Sequence, residues 1–96
     1  MSLELTEEQN KIMDKALEIY GHSAQIGMYY EEAGELMTVL NQYRRDRVNL
    51  DKVIEEVADV TIMILQLARI CGVEEVNKMI DFKLKRLSDR MDKYQG

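Results

Sequence analysis

The stretch NLDKVIEEVADVTIMILQLARICG, residues 49–72, decides the fold. Asn49 offers a side-chain oxygen that caps a helix, no proline interrupts the run, and Gly72 is a residue on which a helix ends. Over its second half this helix, residues 50–71, is apolar on nearly every side, which predicts the central and most buried element. The flanking chain reads the same way. Thr6 with Gln9 forms a capping box, and Ile12, Met13, Ala16, Leu17 and Tyr20 recur at helical spacing, predicting a first helix over 6–20 that stops at Gly21. Ser23 is the expected cap of a second helix carrying Ile26, Tyr29, Ala33, Leu36, Leu40 and Tyr43, and the polar residues 44–49 are the expected loop. A fourth helix begins near Val73 with Glu74 and Glu75 in its positive first turn, and carries Val76, Met79, Ile80, Leu84, Leu87 and Met91 on one stripe. Short connections make neighbours antiparallel, so the expected architecture is all-α: a four-helix bundle, one domain over residues 1–96.

Composition narrows the function. With 13 Lys+Arg against 18 Asp+Glu the formal net charge is -5, which repels a polyphosphate backbone and argues against a DNA or RNA partner. A small phosphate ligand is still open, because bound divalent cations reverse the local sign at a carboxylate cluster. Cys71 is the single cysteine, so no internal disulfide forms, which fits a reducing cytoplasm. The opening MSLELTEEQNK has neither a basic nor an apolar leader region, and no apolar run is long enough to cross a bilayer, so neither export nor a membrane partner is expected.

One short pattern occurs twice. Glu31, Glu32 and Glu35 on the second helix are echoed by Glu55, Glu56 and Asp59 on the third. Residues three apart share a helix face, so Glu32 with Glu35, and Glu56 with Asp59, each form a two-carboxylate claw suited to a hard cation. At about 100° per residue Met28 and Val39 fall on the row of the first claw and Met63 on that of the second, so the acids interrupt stripes that would otherwise face the core. Neighbouring desolvated carboxylates raise one another's pKa and call for a compensating partner. At 1.5 Å rise per residue the first claw lies about 14 Å from the intervening turn and the second about 11 Å, so antiparallel packing brings the four acids to one level. Four oxygen ligands without His or Cys favour Mg²⁺, with Mn²⁺ as a substitute. Solvated faces and salt bridges to a neighbouring helix also explain acidic pairs.

The residues EEAGEL (31–36) and EVAD (56–59) resemble the E-E-x-x-E and E-x-x-D motifs of the all-alpha nucleoside triphosphate pyrophosphohydrolases, the MazG-like proteins. The resemblance runs from about residue 21 to 90, and NLDKVIEEVADVTIMILQLARICGVEEV and FKLKRLSDR are similar to the short members from phages and prophages. It implies that Glu32, Glu35, Glu56 and Asp59 bind Mg²⁺, that Glu31 orients or deprotonates water, and that a (deoxy)nucleoside triphosphate is cleaved to its monophosphate and pyrophosphate. It further implies that Lys83, Arg86 and Arg90 on the last helix face the phosphates. Many members carry Asn two positions before that lysine, where this chain has Asp81.

Gln25 and Tyr29 precede the first claw on the same face and are candidates for contacting a base, although a capping glutamine and a buried tyrosine explain them equally. His22, the one histidine, reads as a helix-junction residue, and Cys71 and the seven methionines as core filling. Ala58, Ile62 and Leu65 lie on the far side of the third helix from its claw, predicting a homodimer or homotetramer. Two other functions stay open: a phosphoribosyl-ATP pyrophosphohydrolase-like enzyme, and a non-catalytic helical interaction protein.

Overall fold

Each helix begins and ends for a local reason. In a computed structural model, which describes residues 5–96, α1 spans Glu7–Tyr20, α2 His22–Arg44, α3 Leu50–Cys71 and α4 Val73–Gln95, with no strand among the described residues. The absence of a leader was read partly from residues 1–4, which lie outside the described residues. At the start of α1 the Gln9 N–H donates to Thr6 Oγ1 at 3.1 Å and the Thr6 N–H to Gln9 Oε1 at 2.9 Å, closing the capping box. Asn49 Oδ1 accepts from the Lys52 N–H at 3.3 Å and starts α3.

The α1–α2 junction differs from the expectation in one residue. Gly21, at φ +87°, ends α1 and is also the residue from which α2 starts, so His22 is already helical and Ser23 caps nothing. A single residue in this left-handed region turns the chain between two helices without a spacer, which glycine does at no steric cost. Gly72, at φ +112°, does the same between α3 and α4. Between α2 and α3 the turn passes through Asp46 at φ 58°, a conformation that Asp tolerates better than most residues.

As expected, α3 is the centre: it packs on each of the other three helices, most extensively on α2, and buries Val53, Glu56, Val60, Met63 and Gln66. Arg69 ties it to α1, its Nε donating to Asp14 Oδ1 at 2.8 Å and a terminal nitrogen to Asn10 Oδ1. The fourth helix is the exception. It packs only on α3 and buries no residue, and its stripe stays open, with Met79, Ile80, Leu84, Leu87 and Met91 each about half exposed. The buried apolar core is accordingly thin: Met13, Val39, Val53, Val60 and Met63. Two expectations of core filling fail with it. Cys71 is exposed, and Met37, Met79 and Met91 are surface residues, because the sides of α2, α3 and α4 on which they stand have no opposing helix within one chain.

Candidate metal and phosphate site

One buried hydrogen bond marks the register of the α2–α3 pair. Gln25 Nε2 donates to Gln66 Oε1 at 2.6 Å, with both residues buried. Counting equal steps along the antiparallel helices from this contact places Met28 opposite Met63, Glu32 opposite Asp59 and Glu35 opposite Glu56. The four acids therefore meet at one level, as the spacing predicts. Glu32, Glu35 and Glu56 each offer an oxygen within 4.8 Å of the others, and so do Glu55, Glu56 and Asp59.

Burial decides the electrostatics. Glu56 is 4% exposed although it is an acid, and Glu32 is half-buried. Glu32 Oε2 and Glu56 Oε2 are both buried with no hydrogen-bond partner among the described residues. Such orphaned acceptors are rare in folded proteins. Desolvation raises the Glu32 carboxyl above its ordinary 4.5, and the neighbouring charges of Glu35, Asp59 and Glu56 push in the same direction.

Lys52 is the cation that faces this cluster, a residue the sequence reading passed over. Its Nζ lies 3.3 Å from Glu56 Oε1 and 3.7 Å from Glu55 Oε2, and the bond to Glu56 holds the ammonium above its ordinary value. The signal was present, since Lys52 and Glu56 stand four apart on one helix. An open cavity of about 900 Å³ lies against these groups, lined by Tyr30, Glu31, Gly34, Glu35, Thr38, Val39, Lys52 and Glu56. Glu31, expected to handle water, thus shares a cavity with two of the claw acids.

Other expected site residues are placed elsewhere. Lys83, Arg86 and Arg90 stand on α4, which does not pack on α2, and among the described residues none of the three is ion-paired or lines the cavity; Arg86 instead lies over the Phe82 ring at 5.8 Å. Tyr29 is half-buried, and its ring meets Tyr30 edge-on at 5.9 Å. Gln25 lines a separate, smaller cavity with Tyr20, Ala24, Met28 and Met63. Among the described residues no helix is long and apolar enough to cross a membrane. Compared with protein-family models, curated proteins and solved structures, the chain matches none.

Proposed function

We propose that this protein is a Mg²⁺-dependent nucleotide pyrophosphohydrolase that cleaves a (deoxy)nucleoside triphosphate to the monophosphate and pyrophosphate. One observation carries the reading: Glu32 Oε2 and Glu56 Oε2 are buried without partners inside a convergence of carboxylates. Such acceptors are rare without compensation, and a hard divalent cation would supply it. The donor set is all oxygen, which fits Mg²⁺ or Mn²⁺. Glu32, Glu35, Glu56 and Asp59 are the residues that would hold it, and the ion would polarise phosphoryl oxygens and offset the charge of a pyrophosphate leaving group.

The chain's own residues have separate tasks. Glu31, exposed on the cavity wall, accepts the proton of the water that attacks the α-phosphorus. Lys52, itself half-exposed beside the cavity, is the cation placed to turn from its carboxylate partners to the anionic phosphates of a bound substrate. The open apolar stripe of α4 and the exposed Ile54, Val57 and Ile62 on α3 support assembly as a homodimer or homotetramer, in which Lys83, Arg86 and Arg90 approach the phosphates of a neighbouring site. The test is a panel of ribo- and deoxyribonucleoside triphosphates assayed for pyrophosphate release with Mg²⁺ and with chelator. Magnesium-dependent release from at least one is expected. Its absence across the panel favours the non-catalytic interaction protein.

A further inference from the structure

A third cavity lies where α1, α3 and α4 come together, away from the acids. It encloses about 610 Å³, within the range of small-molecule sites, and shares no residue with the carboxylate cavity or with the one at Gln25. Helix α1 supplies Asn10 and Asp14, α3 Leu65 and Arg69, and α4 Val73 and Asn77, with Leu5 beside them. Arg69 stands ten residues, about 15 Å of helix rise, beyond Asp59. Its side chain is 15% exposed and pairs with Asp14, whose carboxylate is open to solvent. A guanidinium has five N–H donors. Here three are engaged, by Asp14 Oδ1 at 2.8 Å, by the Leu65 carbonyl at 2.9 Å and by Asn10 Oδ1, which leaves two for a further acceptor. Among the described residues the second oxygen of Asp14 and the Asn77 amide have no partner.

The charges select the ligand. A simple anion meets the Asp14 carboxylate and a simple cation the Arg69 guanidinium, so each is opposed by one half of the pair. A small molecule that carries both charges satisfies both halves. Its carboxylate accepts from the remaining guanidinium N–H groups and from the Asn77 amide, and its ammonium donates to the free oxygen of Asp14. The rest of the wall, Leu5, Leu65 and Val73, is aliphatic and suits a branched hydrocarbon side chain. From this geometry we infer that the cavity at Arg69 is a binding site for a free α-amino acid with a branched aliphatic side chain. Its occupation has a structural consequence. Helix α4 packs on α3 alone and buries no residue, so a ligand held by Asp14 on one side and Asn77 on the other joins α4 to α1 and fixes the helix that carries Lys83, Arg86 and Arg90. The inference does not rest on the phosphate-site reading.

The test titrates the ¹⁵N-labelled full chain with L-leucine, L-valine and L-isoleucine and follows the amide shifts by two-dimensional NMR. Each amino acid is compared with the acid and the amine that lack its ammonium or its carboxylate; for leucine these are 4-methylpentanoate and 3-methylbutylamine. At least one of the three amino acids should half-saturate at or below about 1 mM, shift the amides around Asn10, Asp14, Arg69 and Asn77, and bind at least about tenfold tighter than either of its analogues. Asn77→Leu, at an exposed position with no hydrogen bond to lose among the described residues, should weaken that binding at least about tenfold. Asp14→Asn should remove the advantage of the amino acid over its acid analogue, since the ammonium then has no carboxylate to meet. Should Asp14→Asn fail to fold, Asn77→Leu alone decides. No saturable shift with any of the three at about 10 mM, equal binding of an amino acid and its charge-deleted analogues, or undiminished binding to Asn77→Leu would overturn the site.

Discussion

Replacing Glu56 by Gln separates a ligand-binding carboxylate from a structural one. Glu56 is 4% exposed, one of its oxygens has no partner, and the other faces Lys52 at 3.3 Å. The partnerless oxygen is the larger liability, since a buried acceptor left unsatisfied costs about 1–3 kcal/mol. The substitution keeps the shape and removes the charge, and the new amide N–H₂ can donate to a neighbouring carboxylate oxygen, turning the liability into a hydrogen bond. The metal-free variant should therefore gain roughly 1–2 kcal/mol. Catalysis should move the other way. Loss of one ligand charge should lower pyrophosphate release at least about a hundredfold, equivalent to ~2.7 kcal/mol of transition-state stabilisation. Urea denaturation in chelator and pyrophosphate release with Mg²⁺, measured on one preparation, read both effects. Full activity with a lowered urea midpoint would refute the reasoning, because it would mean that Glu56 serves only the Lys52 pair.

The Gln25–Gln66 bond should be worth more broken than absent: Gln66→Leu should lower stability by about 1–3 kcal/mol, and adding Gln25→Leu should recover part of it, a coupling read by a double-mutant cycle in urea. Leu84→Lys with Leu87→Glu on the exposed stripe of α4 should convert an oligomer to a species of about the 11.2 kDa chain mass in light scattering, with the helical circular dichroism retained. In chelator, stability should rise as pH falls from neutral through the raised pKa of Glu32 toward the ordinary 4.5, since the folded protein takes up a proton that the unfolded chain does not yet bind. Saturating Mg²⁺ should abolish this rise; a denaturation midpoint independent of pH in chelator would contradict it.

Features with local causes were legible in the sequence. The Thr6 capping box, the Asn49 cap and the glycine stops at 21 and 72 each depend on residues within a turn of one another, and each stands where its pattern puts it. The level of the four acids was also legible, because antiparallel helices joined by a short turn bring residues at similar distances from that turn side by side. Ser23 misled because a capping residue type signals only a preference, and Gly21 already closes the junction. The stripe on α4 shows that this helix needs a partner without saying which, so its exposure and that of Cys71 were not readable. Gln25 was visible as a candidate, whereas its bond to Gln66 joins residues far apart in sequence and becomes apparent only when α2 and α3 are laid together.

The central claim is attack of water on the α-phosphorus at the carboxylate cluster, and hydrolysis in ¹⁸O-labelled water tests it most directly. A nucleoside triphosphate is incubated with the protein and Mg²⁺, and the products are weighed by mass spectrometry. The label should appear in the nucleoside monophosphate, with unlabelled pyrophosphate, and neither product should form in chelator or with Glu56→Gln. Orthophosphate as the first product, label in the pyrophosphate, or turnover indifferent to Mg²⁺ would contradict the claim.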